Sequence, residues 1–131
     1  MDSAKWIVDN ELMGKDGPLQ EKSYDYAKLV VLMCKEIQER KKEFIMTKQL
    51  IRSGTSVGAM IEEAQHAESR NDFISKLSIA LKEAYESRFW IRLLHDTEYL
   101  SSEKEQLLLR KVNEVIPMLI ASIKTAKRNK P

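Results

Sequence analysis

Apolar residues recur at intervals of three or four through most of the chain, the spacing that places them on one face of an α-helix. After the turn-forming stretch "KDGP" at 15–18, this spacing is followed by Tyr26, Val30, Met33 and Ile37. They predict a first helix over about 20–42. The basic residues at its end suit the negative pole of the helix dipole.

The pattern continues into a second helix, predicted over about 47–67. A third helix is predicted to start at Ser69, because Ser69 followed three residues later by Asp72 resembles a capping box. The helical spacing of this third segment extends to about Thr97.

A fourth helix is predicted over about 102–127, with Ser102 and Glu105 as its capping box. Pro117 lies inside this helix and is expected to bend it, since proline removes one backbone donor. Four helices with short connections fit an up-down-up-down antiparallel bundle. The predicted fold class is therefore all-α.

Composition agrees with one compact helical domain. The chain has 131 residues, of which 43% are hydrophobic, so it is long enough to bury a core. Its four glycines and three prolines are too few for many short strands and turns. We predict a single domain over 1–131, with an N-terminal extension at 1–18 and a frayed basic tail at 128–131.

Cysteine usage and hydropathy indicate the compartment. Cys34 is the single cysteine, and its setting in "LVVLMCKEI" is typical of a small buried residue rather than a nucleophile. No apolar stretch follows a basic start, as a secretory signal would require. The longest unbroken apolar run, 29–34, is far shorter than the roughly 20 residues that span a bilayer. We expect a cytoplasmic protein with no membrane partner.

Two glycines, Gly54 and Gly58, lie inside the second predicted helix, in "IRSGTSVGAMIEEA" at 51–64. A Walker-type phosphate loop needs a different glycine spacing followed by lysine, and is excluded. Within a helix each glycine costs about 1 kcal/mol relative to alanine, so close packing should offset that cost. Four residues apart, they share one face and predict a helix-packing seam.

The third helix carries more apolar surface than one subunit needs. One stripe includes Phe73 and Leu77, while Ile79, Trp90 and Leu93 lie roughly opposite. Large apolar patches usually mark partners, so we assign Ile79, Trp90 and Leu93 to an oligomer interface. The alternative is a set of scattered surface hydrophobic residues.

Basic residues are concentrated in 21–60 and 101–131, on a net charge of only +2. They form two candidate phosphate-binding clusters, which the predicted bundle places at opposite ends. The clusters comprise Arg40, Lys41, Lys42, Lys48 and Arg52, and separately Lys124, Lys127, Arg128 and Lys130. Because the sequence shows no aromatic-interleaved motif for base stacking, binding of RNA or DNA should be electrostatic, with little sequence preference. An ordinary solvated surface is the alternative.

The central part of the chain resembles a known family. The stretch 51–94 contains "RSGTSVGA", then "DFISKLSIALKEA", then Glu86, Trp90 and Leu94. In order and spacing it is similar to the bacterial four-helix bundle proteins first associated with intervening sequences in large-subunit ribosomal RNA genes. It is also similar to the accessory proteins of diversity-generating retroelements, which bind nucleic acid and a reverse transcriptase.

The resemblance implies a left-handed up-down bundle that assembles into a ring, typically a homopentamer. It implies no enzymatic activity and suggests nucleic acid or a protein as partner. A ring would multiply each basic cluster on one rim and strengthen the local positive potential.

Acidic residues in 51–94 suggest ion pairs that hold helices or subunits together. Glu63, Glu83 and Glu86 match acidic positions of the family, and Arg88 falls within the inner apolar stripe of the third helix. Since a buried arginine must be paired, these four residues predict an ion-pair network between helices or between subunits that fixes their register. Carboxylates acting as general acid and base are the alternative.

Metal chemistry has weak support. Glu63 and His66 form one Glu-x-x-His pair, whereas a di-iron bundle needs two such pairs and further glutamates. We predict no metal site, no cofactor and no catalytic residue.

The sequence therefore predicts a homo-oligomeric, non-enzymatic accessory factor associated with RNA or a ribonucleoprotein. The alternative is a protein-interaction scaffold without nucleic-acid binding. Salt-dependent RNA or DNA binding favours the first function, and a protein partner that resists nuclease favours the second.

Overall fold

The computed structural model describes residues 17–128, which form four α-helices and no β-strand. The helices are α1 (Pro18–Lys41), α2 (Ile45–Ala64), α3 (Arg70–Asp96) and α4 (Ser102–Arg128). The four predicted helices are thus confirmed, each within a few residues of its predicted bounds. Most of the predicted extension at 1–18 and tail at 128–131, including Lys130, lies outside the described residues. Within 17–128, no helix combines the length and hydropathy needed to cross a bilayer.

Local capping explains where the helices begin. Pro18 opens α1, at a position where its missing N–H is not needed. Ser69 Oγ accepts a 3.0 Å hydrogen bond from Asp72 N at the start of α3, as predicted. The cap of α4 is Ser101, which accepts from Lys104 N at 3.2 Å. The prediction of Ser102 as this cap is wrong by one residue.

Neighbouring helices run in opposite directions. Val30 on α1 lies against Gly54 on α2, whereas the earlier Ser23 lies against the later Gly58. The same reversal is seen between α2 and α3, between α3 and α4, and between α1 and α4. Packing is most extensive between α2 and α3 and least extensive between α1 and α4. In this arrangement α1 and α3 are diagonal to each other.

The core side of α3 follows alternating steps of four and three residues. The positions buried in this way are Phe73, Leu77, Ala80, Ala84, Ser87, Ile91 and Leu94. Their mean spacing is shorter than a helical turn, so a stripe drawn at 3.6 residues per turn drifts by about 20° per heptad.

This drift corrects the prediction of a buried arginine. Ser87 occupies the core position and is fully buried, while Arg88 is half-buried beside it. The Arg88 guanidinium donates to the Asn113 side-chain oxygen at 3.1 Å and stacks over Tyr85. The Arg88 guanidinium therefore makes its contacts at the surface between α3 and α4 instead of inside the bundle.

Candidate nucleic-acid interface

The turn between α1 and α2 is held by one buried carboxylate. Glu43 Oε2 accepts hydrogen bonds from Ile45 N and Met46 N, and its Oε1 accepts one from Thr47 N, each at 2.9 Å. Thr47 Oγ1 returns a 2.8 Å bond to the Glu43 carbonyl. Three of the four N–H groups that a helix leaves unpaired at its start are thereby satisfied. This fixes the approach of the chain to α2.

The same contacts decide the charge state of Glu43. Burial raises the pKa of the Glu43 carboxyl, but the backbone N–H groups of Met46, Thr47 and Ile45 outweigh burial and hold it below its ordinary value. Glu43 is therefore an anion that faces α2. It does not cancel the cations on the outside of the turn by direct pairing.

Four cations surround this turn, and all four are exposed. They are Arg40 and Lys41 in the last turn of α1, Lys42 at its C-cap, and Lys48 in the first turns of α2. We call them the basic end. Within residues 17–128, Arg40 lies 3.9 Å from Glu36, whereas Lys41, Lys42 and Lys48 take part in no ion pair. Three positive charges at this end are thus available to a partner.

A groove of about 480 Å³ opens beside the basic end, between the end of α1 and the α3–α4 connection. Arg40, Lys41 and Lys104 line it together with Tyr99 and several hydroxyl groups. Lys104 donates to Glu36 across the groove, and this contact is the main reason that the pKa of Glu36 is lowered. Glu36 and Glu98 also line the groove, so it combines cations, carboxylates and hydroxyl groups, and Lys41 is the cation there that has no ion-pair partner among the described residues.

His95 forms the inner wall of the groove. Its Nε2 lies 3.0 Å from Ser102 Oγ, and its Nδ1 lies 3.2 Å from Asp96 Oδ1 and 3.5 Å from Glu105 Oε2. One ligand atom from each of His95, Asp96 and Glu105 falls within a 4.8 Å group. The hydrogen bond to Ser102 and the facing carboxylates account for the imidazole orientation, so this cluster joins α3 to α4 without requiring an ion.

Arg52 belongs to a different set of contacts from the basic end. Its Nη1 lies 3.3 Å from Glu83 Oε1, its Nη2 binds Glu86, and its Nε donates to Gln49 at 3.1 Å. Glu86 also accepts from the Trp90 indole at 2.9 Å. The structure thus assigns Arg52 to the α2–α3 contact, although the sequence groups it with the phosphate-binding cluster.

The predicted ion-pair residues are not brought together as one network. Glu83 and Glu86 share Arg52, while Glu63 pairs with Lys76 at 3.5 Å near the other end of α2. Arg88 faces α4 instead. Each member of the set therefore connects one pair of helices, and within one subunit the four residues form no single network. Arg52 is the cation that sequence reasoning placed elsewhere.

The second predicted basic cluster lies at the opposite end of the bundle. Lys124, Lys127 and Arg128 are exposed on the last turns of α4. Lys130 is outside the described residues. On the neighbouring α2–α3 corner, a depression of about 440 Å³ is lined mainly by acidic residues. This end therefore carries mixed charge.

Both glycines of the predicted seam face α1. A Cβ atom at Gly54 would lie 3.0 Å from both γ-methyl groups of Val30, whereas one at Gly58 would lie 3.5 Å from the Ser23 carbonyl oxygen. The first distance is tighter than ordinary packing and the second is normal van der Waals contact. A methyl group therefore fits at Gly58, whereas at Gly54 it would require Val30 to shift.

The predicted interface residues differ in exposure. Ile79 is exposed, but Leu93 is half-buried and Trp90 packs partly against the core. The larger exposed aromatic rings of α3 are Tyr85 and Phe89. Tyr24 and Leu32 are exposed on the diagonal helix α1. Apolar surface therefore occurs on two opposite sides of the bundle.

Cys34 is fully buried in the core. Burial, together with the nearby Glu43 charge, raises the pKa of its thiol to about 12. The thiol is therefore protonated near neutral pH and is shielded from reagents.

Comparison with known proteins identifies a matching family and a similar solved structure. The family model described as "23S rRNA-intervening sequence protein" matches residues 15–121. A crystal structure from Bacteroides thetaiotaomicron, of a protein with unknown function from the S23 ribosomal protein family, is 45% identical with a TM-score of 0.79. The match covers 81% of this chain and 98% of that one. A search of curated proteins found no match.

Proposed function

The chain belongs to the 23S rRNA-intervening sequence protein family, and on that premise we propose that it is a homo-oligomeric, antiparallel four-helix bundle that binds RNA through the basic end and has no enzymatic activity. One observation carries the proposal. Lys41, Lys42 and Lys48 are exposed, take part in no ion pair within the described residues, and flank a turn fixed by Glu43.

The rigidity of this turn favours binding. Long lysine side chains lose rotamer freedom when they contact phosphate, but a fixed backbone adds no further ordering cost. In the adjacent groove Arg40 and Lys104 both contact Glu36, so the unpaired lysines of the turn are the main positive charges offered to RNA. At the other end, Lys124, Lys127 and Arg128 lie on the last turns of α4, where helix ends fray. We therefore favour the basic end over the α4 end.

Assembly would convert this modest charge into useful affinity. Tyr24 and Leu32 are exposed on α1, and Tyr85 and Phe89 are exposed on the diagonal helix α3. Because the two patches differ and lie on opposite sides, contact between them joins successive copies head to tail, and such contacts generate rings when the rotation closes. A ring, a pentamer in this proposal, presents several copies of the basic end on one rim and adds avidity.

The absence of activity is part of the same proposal. Glu83 and Glu86 share the Arg52 charge, and Glu63 faces Lys76. A general acid or base needs a carboxyl within reach of a substrate proton in a cleft. The glutamates instead serve contacts between helices.

RNA binding is tested by titration of labelled RNA at several salt concentrations. In the variant Lys41→Gln/Lys42→Gln/Lys48→Gln, affinity should fall, and the slope of log affinity against log salt should become shallower by about 0.7 to 0.9 for each phosphate that the variant no longer neutralises. The matched control, Lys124→Gln/Lys127→Gln/Arg128→Gln, removes the same charge at the opposite end and should retain most of the affinity.

Light scattering on the same samples tests assembly, against a subunit mass of 15.2 kDa. Equal losses of affinity in the two triple variants would contradict the assignment to the basic end. No RNA binding by the intact oligomer at low salt would overturn the RNA function and leave the protein-scaffold function. A monomer at micromolar concentration would overturn the assembly.

A further inference from the structure

An exposed aromatic ring stands in the middle of the basic end. Phe44 is the N-cap residue of α2 and is 55% exposed. It lines a shallow depression of about 250 Å³ with Lys35 and Lys42, and with the polar side chains of Gln38 and Glu39. Single exposed apolar residues are common on protein surfaces, so what distinguishes Phe44 is that Lys35 and Lys42 line the same depression.

The backbone under Phe44 is fixed independently of its ring. Glu43 binds the N–H groups of the three residues that follow Phe44. The backbone that carries the ring is therefore fixed by contacts that a partner does not need to supply. Preorganised aromatic side chains bind flat ligands at low entropic cost.

We propose that Phe44 stacks on an unpaired base, so that the RNA recognised at the basic end is single-stranded at that point. This inference rests on the proposed RNA function and names its substrate class. A base offers a flat apolar face, and its own phosphates are anions that the neighbouring Lys35 and Lys42 attract. In a duplex the base faces are covered by neighbouring pairs, so a paired segment cannot occupy the ring in this way.

Charge distinguishes this partner from an apolar protein surface. The depression beside Phe44 holds two lysines against one carboxylate, Glu39, and Lys41 and Lys48 lie on the adjoining turns. Glu43 is turned inward to α2. The surface around the ring is therefore positive, which suits a polyanion that also carries flat apolar groups.

The experiment compares two RNAs with the same number of nucleotides and similar charge, one an unstructured single strand and one a fully paired duplex, by fluorescence anisotropy. Phe44→Ala should weaken binding of the unstructured RNA by about 5- to 150-fold, the range of one base–aromatic stack. Binding of the duplex should not change. The salt slope should also stay constant, because every lysine that binds phosphate is still present. Phe44→Trp should retain tight binding.

Ile45→Ala is the matched control, because Ile45 is the adjacent residue and is 79% exposed without being aromatic. It should bind both RNAs as the wild type does. Equal affinity of Phe44→Ala and wild type for the unstructured RNA would overturn the stacking role. So would tight, Phe44-dependent binding of an acidic peptide that displaces RNA. Failure of the wild type to bind either RNA would instead reject the proposed function itself.

Discussion

The phenol of Tyr26 on α1 donates a 2.7 Å hydrogen bond to Ser87 Oγ on α3, and both side chains are fully buried. The two helices are diagonal, so this contact crosses the centre of the bundle. Ser87 in turn donates to the Ala84 carbonyl at 2.8 Å. Burial raises the pKa of Tyr26, which keeps the phenol protonated as a donor.

The two partners of this bond should respond differently to removal. Tyr26→Phe leaves Ser87 bonded to Ala84, so the free energy of unfolding should fall by about 0.5–1.5 kcal/mol. Ser87→Ala leaves the buried Tyr26 hydroxyl without its acceptor and should cost more, about 1–3 kcal/mol. Urea denaturation measures both. A larger loss of stability in Tyr26→Phe would contradict this account.

Substitution of the two glycines should also give opposite results. Gly58→Ala places Cβ in ordinary contact with Ser23 and should gain up to about 1 kcal/mol from helix propensity. Gly54→Ala forces Cβ against Val30, whose branched side chain has little rotamer freedom in a helix, so overpacking of about 1–3 kcal/mol should exceed the gain. Thermal unfolding of both variants tests the seam. Addition of Val30→Ala should restore part of the stability that Gly54→Ala removes.

Glu43→Gln should lower stability by about 1–2 kcal/mol, because the charged cap of α2 becomes a weaker, neutral one. The effect should depend on pH. The pKa of Glu43 is lowered in the folded chain, so its stabilisation is present above the ordinary value of 4.5 and is lost as pH falls through the folded pKa. Denaturation curves should therefore converge for wild type and variant in acid. A constant difference down to pH 2 would reject the cap.

Cys34 should be inert in the native protein. Its thiol pKa of about 12 and its full burial predict no reaction with a thiol reagent at pH 8. The reagent should label one thiol per chain after unfolding in urea. Complete labelling of the folded protein within minutes would show that the core around Cys34 opens readily.

Arg52→Gln and Lys48→Gln remove one charge each from neighbouring turns of α2. Arg52 is engaged by Glu83 and Glu86, so its loss should cost less than about 1 kcal/mol of stability at this exposed site and leave RNA affinity unchanged. Lys48 is unpaired within the described residues, so its loss should weaken RNA binding and leave stability unchanged. If Arg52→Gln weakened RNA binding and Lys48→Gln lowered stability instead, Arg52 would belong to the RNA-binding surface.

Helix positions can be predicted from this sequence because apolar spacing and caps such as Ser69 act locally. Which residue faces the core is harder to predict, as Arg88 and Ser87 show. The buried positions of α3 repeat every 3.5 residues, about 0.1 residue less than one helical turn. Accumulated along the helix, this difference decides which of the two neighbours is buried. The partner of Arg52 depends on how α2 and α3 align across space. The residue spacing within either helix does not predict that alignment.

The candidate site was only partly predictable for similar reasons. The cations of the basic end are visible as a charge run. The capping role of Glu43 was not predicted, because the usual N-cap residues are Ser, Thr, Asp or Asn directly before a helix. Phe44 resembles any core aromatic until the turn directs it outward. Its signal in the sequence is its place immediately after "RKKE" at 40–43, where a helix ends.

The limited packing between α1 and α4 has a consequence for folding. The other three interfaces join helices that are consecutive in the chain, so they form by closing short loops. Contacts between α1 and α4, such as Lys22 to Glu114 at 3.1 Å, need the whole domain to come together first. We therefore expect the α1–α4 interface to form last and to open first. Native-state hydrogen exchange should therefore reach the amides of α1 and α4 before those of α2 and α3.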